Sequence, residues 1–85
     1  MRVVVTGAAG FIGGRLASAL IARGHLDGQP ITDLVLVDQA FRDDSKAANV
    51  RRICGDVRDP AIRQTLFEKP IQAFFHLAAT LTAEA

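Results

Sequence analysis

Three glycines follow a run of valines near the start of the chain. Gly7, Gly10 and Gly13 have G-x-x-G-x-x-G spacing, and an alanine- and leucine-rich segment comes directly after them. In this pattern the first glycine allows a tight turn off a strand, the second lets a pyrophosphate approach the backbone, and the third lets a helix pack closely. The N-terminus of that helix offers N–H groups and a partial positive charge to phosphates. Because the glycines end a strand and open a helix, they predict dinucleotide binding rather than a structural turn.

An acidic residue ends the second apolar run, Leu34-Val35-Leu36-Val37-Asp38. At that place the Asp38 carboxylate can accept hydrogen bonds from ribose hydroxyls, and it would repel a 2′-phosphate. NAD is therefore the expected cofactor in preference to NADP. The other interpretation of Asp38 is a solvated strand end. Arg42 lies nearby, either to meet a 2′-phosphate or, as we prefer, as a solvated loop charge.

Two further segments carry polar or small residues where a strand ends. In Gly55-Asp56-Val57-Arg58-Asp59, the Asp56 carboxylate can accept from an adenine amino group, although a plain turn followed by a helix cap explains the segment equally well. In His76-Leu77-Ala78-Ala79, the small residues would let a cofactor lie across the strand end. We interpret His76 as a buried or half-buried histidine bonded to backbone, in preference to a catalytic role.

The apolar periodicity places these residues on alternating strands and helices. It predicts strands over residues 2–6, 33–38, 50–54 and 71–77, helices over 11–23 and 60–68, and a loop over 25–32. Asp59-Pro60 is a typical helix start, and Phe74 and Phe75 are expected in the core. Such alternation indicates an α/β fold, the first part of a doubly wound parallel sheet with strand order 3-2-1-4. A nucleotide would occupy the crevice between the first and fourth strands.

The bulk composition narrows the class of protein. Eighty-five residues make at most one small domain, here a partial dinucleotide-binding domain over 1–85 with no second domain. The net charge of +1, without runs of like charge, argues against nucleic acid or membranes as partners. We find neither a membrane-spanning segment nor a signal peptide. Cys54 is the only cysteine, which excludes an internal disulfide and a metal framework. We therefore expect a cytoplasmic protein. We interpret Cys54 itself as a small apolar core residue at a strand end.

Together these segments resemble the extended short-chain dehydrogenase/reductase family, which includes nucleotide-sugar epimerases and dehydratases. The matching segments are Thr6 to Gly13, Asp38, Gly55 to Asp59, and His76 to Ala79. The resemblance implies a Rossmann fold and assigns residues to NAD: the pyrophosphate to Gly7, Gly10, Phe11, Ile12 and Gly13; the ribose to Asp38; adenine to Asp56 and Val57; the nicotinamide side to Leu77, Ala78 and Ala79. The segments Gly28 to Ile31 and Leu34 to Asp38 also resemble the D-erythronate dehydrogenase branch.

The chain departs from the family pattern in its catalytic residues. It contains no tyrosine, so the family's Tyr-x-x-x-Lys is absent, and no residue receives a catalytic or metal-binding role. The resemblance implies the NAD-binding N-terminal part of an oxidoreductase or epimerase that transfers hydride at a sugar or sugar-acid hydroxyl. We expect the 85 residues alone to be inactive. The alternatives are a non-catalytic nucleotide-binding module, a sensor or regulator whose output is binding itself, and a folded fragment that binds nothing.

The fourth strand would be interior in a longer sheet of this kind. In this chain it forms an apolar edge, and an unpaired apolar edge tends to pair with another chain. We therefore expect self-association through the fourth strand.

Overall fold

A parallel four-stranded sheet forms the framework of the structure, a computed structural model that describes residues 1–41 and 49–77. The sheet has the order β5-β4-β1-β6, and all its strands are parallel. The predicted α/β fold is confirmed, with a final strand shorter than the expected 71–77. The elements in chain order are β1 (Arg2–Thr6), α1 (Phe11–Arg23), β2 (His25–Leu26), β3 (Gln29–Pro30), β4 (Asp33–Asp38), β5 (Val50–Cys54), α2 (Pro60–Phe67) and β6 (Ala73–His76).

Both faces of the sheet are packed, as the continuous apolar runs of β1 and β4 predict. Val3 and Val5 belong to a cluster with Leu20 of α1. Val4 points to the other face, where it belongs to a cluster with Leu66 of α2. Because the two central strands are buried on both sides, their carboxyl ends are held in fixed positions relative to each other.

The helix ends follow their local sequence signals. Gly24 ends α1 in the left-handed conformation, with φ of 73°, and its N–H donates to the carbonyl of Leu20 over 2.9 Å. At the start of α2, Asp59 Oδ1 accepts from the N–H of Ala61 over 2.9 Å, and Pro60 occupies the first helical position. Both predicted helices are therefore confirmed, α2 ending one residue before the predicted boundary. Within the described residues, neither helix combines the length and the hydropathy that crossing a membrane requires.

A buried arginine joins the start of β1 to the end of α2. Arg2 Nε donates to Asp33 Oδ2 over 3.0 Å, and Arg2 Nη1 donates to the carbonyls of Leu66 and of Lys69, the latter over 3.1 Å. These carbonyls lie at the C-terminal end of α2, where a helix leaves backbone acceptors without intrahelical donors. The guanidinium thus satisfies the helix end and is itself paired, which makes its burial tolerable.

The predicted loop over residues 25–32 is wrong, because it contains a small β-hairpin. Strands β2 and β3 pair antiparallel around Asp27 and Gly28, whose φ values are 52° and 79°. An Asp-Gly pair with positive φ at both positions is typical of the two-residue turn that suits a hairpin's twist. The Asp27-Gly28 pair was the feature of the sequence that could have predicted this hairpin.

Two core assignments on the outer strands are also wrong. Phe74 of β6 is 39% exposed, and its ring stacks on that of Phe67, with the two ring centroids 5.9 Å apart. Cys54, at the end of β5, is exposed rather than buried in the core. Strands β5 and β6 are the outer strands of the described sheet, so their side chains have a neighbouring strand on one flank only.

Candidate functional site

An open cleft of about 1060 Å³ lies where the parallel strands end and α1 begins. Every predicted cofactor-binding residue that the structure describes lines it. Ala78 and Ala79, and likewise Arg42, lie outside the described residues. The predicted residues in the cleft lining are Gly7, Gly10, Phe11, Ile12, Gly13, Asp38, Asp56, Val57 and Leu77.

The glycine loop turns tightly between β1 and α1. Gly7 has φ of 72°, a conformation that favours glycine, and its N–H donates to the carbonyl of Val37 over 2.8 Å. A Cβ on Gly13 would lie 1.9 Å from the Gly7 carbonyl oxygen, so no side chain fits there. Gly13 therefore lets α1 begin directly against the loop, and the predicted reasons for glycine at these two positions agree with the structure.

The N-terminus of α1 opens into the cleft without a side-chain cap. The first backbone bond of the helix runs from the N–H of Gly14 to the carbonyl of Gly10, over 2.7 Å, and the first turn contains no acidic residue. The N–H groups of residues 11–13 consequently have no carbonyl of the helix as an acceptor. Uncapped N–H groups beside glycines that leave the backbone accessible fit a pyrophosphate.

The Asp38 carboxylate joins the end of β4 to the glycine loop. Its Oδ2 accepts from the N–H of Ala9 over 2.9 Å, and its Oδ1 accepts from the N–H of Gln39 over 2.6 Å. An ionised carboxylate has about four acceptor positions, so two N–H bonds leave capacity for hydroxyl donors. The carboxylate is thus held at the cleft wall in a position suited to a ribose.

Asp56 is held by the residue two positions later. Its Oδ1 accepts from the backbone N–H of Arg58 over 2.9 Å, and its Oδ2 accepts from Arg58 Nη2 over 2.7 Å. The Arg58 side chain, and next its backbone N–H, lower the pKa of Asp56 to about 2. The same pairing raises the pKa of Arg58. The cleft wall therefore carries a second carboxylate, which is ionised at neutral pH.

His76 differs from its predicted environment. It is exposed at the cleft, and its Nδ1 lies 2.8 Å from Thr6 Oγ1 on the neighbouring strand, so it bonds to a side chain rather than to backbone. The register that pairs Thr6 with His76 brings the two together. The N–H of Leu77 also donates to Thr6 Oγ1, over 3.1 Å. Thr6 thus joins the ends of β1 and β6 beneath the cleft.

Sequence reasoning gave no role to several other residues of the lining. Arg58 stood inside a segment already singled out, and its position two residues after an acid was the available signal. Arg63 and Phe67 lie on α2, where nothing in the local sequence marks a cleft-facing residue. No three His, Cys, Asp or Glu side chains in residues 1–41 and 49–77 are grouped as metal ligands would be. The full set that was not predicted is Thr6, Val37, Gln39, Gly55, Arg58, Arg63, Phe67, Phe74 and His76.

The chain matches the NAD dependent epimerase/dehydratase family over residues 3–85 and belongs to that family. Two curated relatives are D-erythronate dehydrogenases. The one from Cupriavidus necator is 40% identical over 89 residues, covering 100% of this chain and 28% of the relative. The one from Haemophilus influenzae is 36% identical over 89 residues, covering 100% of this chain and 26% of the relative. The predicted family resemblance is confirmed, and the chain spans little more than a quarter of these relatives' length.

Solved structures of sugar epimerases have the same fold. A nucleoside-diphosphate-sugar epimerase from Agrobacterium tumefaciens superposes with a TM-score of 0.81 and 31% identity, over 100% of this chain and 25% of that one. A UDP-glucose 4-epimerase from Thermotoga maritima, solved with UDP-glucose, gives a TM-score of 0.70 and 27% identity, over 95% of this chain and 25% of that one. Family and relatives together imply a nicotinamide cofactor.

Proposed function

We propose that this chain binds NAD across the cleft. The pyrophosphate lies on the glycine loop and the α1 N-terminus, the adenosine ribose at Asp38, and adenine at Asp56 and Val57. We assign the nicotinamide side to Leu77, Ala78 and Ala79 because the family resemblance implies it. The observation that carries the proposal is the meeting of an uncapped helix N-terminus with a fixed carboxylate, Asp38, at one cleft wall.

The choice of NAD over NADP rests on Asp38. Two backbone N–H groups hold its carboxylate at the cleft, so a 2′-phosphate on the ribose would meet a negative charge. Calorimetric titrations with NAD and with NADP test this choice, using the wild-type chain and Asp38→Asn. We expect the wild-type chain to prefer NAD and the neutral amide to reduce that preference. Equal affinity of the wild-type chain for the two cofactors would contradict it.

In a full-length protein of this kind, we propose hydride transfer between the nicotinamide and a carbon that carries a hydroxyl in a sugar or sugar acid. The names of the two dehydrogenase relatives make D-erythronate the first substrate to test. The chain contains no tyrosine, so the acid–base residue that the family resemblance implies is missing from these 85 residues. We therefore expect no turnover from the 85 residues with NAD and D-erythronate. Measurable NADH formation would contradict this expectation.

Self-association through β6 is also a proposal. Within the described residues β6 pairs with β1 alone, and its Phe74 is exposed, as is Phe67 at the end of α2. The opposite edge strand, β5, carries Arg51 and Arg52, and charged residues on an edge discourage pairing with another chain. This asymmetry supports β6 as the edge that associates.

A cytoplasmic location, expected from the composition, stays a prediction.

A further inference from the structure

The Arg58 guanidinium binds the Asp56 carboxylate through two nitrogens, an arrangement that we call the Arg58 fork. Arg58 Nη2 donates to Oδ2 over 2.7 Å, while Arg58 Nε lies 3.1 Å from Oδ1 and 3.2 Å from Oδ2. The guanidinium therefore spans both carboxylate oxygens, in the two-pronged geometry that suits arginine and not lysine. The backbone N–H of Arg58 donates to the same carboxylate and would do so with any side chain except proline.

The stability of the fold does not explain this pair. The Arg58 side chain is 77% exposed, and exposed ion pairs contribute little to folding. What the pair fixes is the orientation of the Asp56 carboxylate at the cleft wall. A carboxylate held by both oxygens presents its remaining lone pairs in set directions, whereas a free one rotates.

We propose that Arg58 is a positioning residue that makes the site selective for a purine carrying a 6-amino group. The inference rests on the proposed function, which places adenine beside Asp56. An ionised carboxylate only accepts hydrogen bonds, so it pairs with the amino group of adenine and is repelled by the oxo group of hypoxanthine. A site built to bond one group rejects an analogue that lacks it, because its own polar atoms are then left unpaired. That rejection requires a carboxylate that cannot turn away, and the Arg58 fork supplies this restraint.

The test compares NAD with nicotinamide hypoxanthine dinucleotide, in which an oxo group replaces the adenine amino group. Both are titrated calorimetrically at neutral pH into the wild-type chain, Arg58→Met and Arg58→Lys. We expect the wild-type chain to prefer NAD by about tenfold or more, as for hydrogen bonds to charged groups. Arg58→Met should reduce this ratio at least about threefold, and Arg58→Lys should lie between, since lysine keeps the charge without the fork.

Arg63→Met is the matched control, because Arg63 lines the same cleft and its loss removes the same charge. Arg63→Met should weaken the binding of both dinucleotides alike and leave the ratio of their affinities within about twofold of the wild-type value. A ratio unchanged in Arg58→Met, with both affinities reduced equally, would overturn the inference while the proposed function stands. Failure of the wild-type chain to bind NAD would overturn both. Should Arg58→Met not fold, Arg58→Lys decides: a ratio equal to that of the wild-type chain would overturn the inference.

Discussion

Two adjacent glycines at the start of α1 have opposite requirements. A Cβ on Gly13 would overlap the Gly7 carbonyl oxygen at 1.9 Å, whereas a Cβ on Gly14 would lie 3.5 Å from the Ala8 carbonyl oxygen, an ordinary contact. Gly13 is thus required by close approach of the loop and the helix, and Gly14 is not. Of these two glycines, only Gly13 is needed for the loop and the helix to pack together.

Gly13→Ala should destabilise the fold by about 1–3 kcal/mol, because the loop or the helix must shift. Gly14→Ala should instead stabilise it by up to about 1 kcal/mol, because alanine favours the helix. Urea denaturation of the two variants measures both effects, and NAD titration should show a loss of affinity in Gly13→Ala alone. Equal effects of the two substitutions would show that the close approach of the loop to Gly13 does not require glycine there.

The ionisation of Asp56 gives a second prediction at this scale. Its pKa of about 2 lies below the ordinary value of 3.8, mainly because of the Arg58 side chain. Since the folded-state pKa is lowered, the stabilisation from this pair is complete above about pH 4 and disappears as the pH falls through 2. NMR titration of the carboxyl carbon should give a pKa near 2 in the wild-type chain. In Arg58→Met it should rise but stay below 3.8, because the backbone N–H remains; an unchanged value would contradict the account.

For single residues, the sequence predicted which ones lie at the cleft better than it predicted the contacts that their side chains make. Gly7, Gly13 and Asp38 line one cleft because a strand end or a helix start is readable from local residues. The environment of His76 was not, because its partner Thr6 lies 70 residues away and meets it only through the β1–β6 register. Cys54 was misjudged because only its apolar character was considered, although the predicted strand order 3-2-1-4 already made its strand an outer one.

Among the elements, the ends of α2 are fixed in different ways. Its start is local, since Asp59 caps the N–H of Ala61, and the sequence predicted it. Its end depends on Arg2, whose guanidinium bonds two carbonyls beyond the reach of any local signal. The hairpin β2–β3 is an intermediate case, because its Asp-Gly turn is local but its strands are only two residues long.

Arg2→Met should destabilise the fold by about 3 kcal/mol, because it leaves Asp33 and the carbonyls of α2 without the buried guanidinium. Arg51→Met is the matched control. Arg51 Nη2 also approaches Asp33 Oδ2, at 3.4 Å, but the Arg51 side chain is 49% exposed. Its loss should cost less than about 1 kcal/mol. Comparable urea midpoints for the two variants would show that Arg2 does not hold α2.

For the molecule as a whole, the two outer strands of the sheet have different chemistry. Strand β5 carries two arginines, while Phe74 of β6 stacks on Phe67 of α2, and both phenylalanines are exposed. The parallel architecture was predictable because alternating strands and helices allow few arrangements. The exposure of the phenylalanine pair was not, since it depends on how the end of α2 lies beside β6.

Phe74→Lys should weaken self-association, because it places a charge on the exposed face of β6. Ile21→Lys is the matched control: Ile21 is also 39% exposed but lies on α1. Sedimentation velocity over a range of concentrations should show the wild-type chain and Ile21→Lys associating and Phe74→Lys shifted towards monomer. A wild-type chain that stays monomeric at high concentration would contradict association through β6.

The central claim is that the glycine loop and the α1 N-terminus hold a dinucleotide. Calorimetric titration with NAD tests it most directly, using the wild-type chain, Gly10→Val and Ala9→Val. Gly10 lines the cleft, whereas Ala9 is an exposed residue of the same loop outside the lining, so the two variants place bulk on and beside the proposed pyrophosphate position. We predict saturable heat of binding from the wild-type chain and from Ala9→Val, and none from a folded Gly10→Val. Absence of binding by the wild-type chain, or equal binding by Gly10→Val, would contradict the claim.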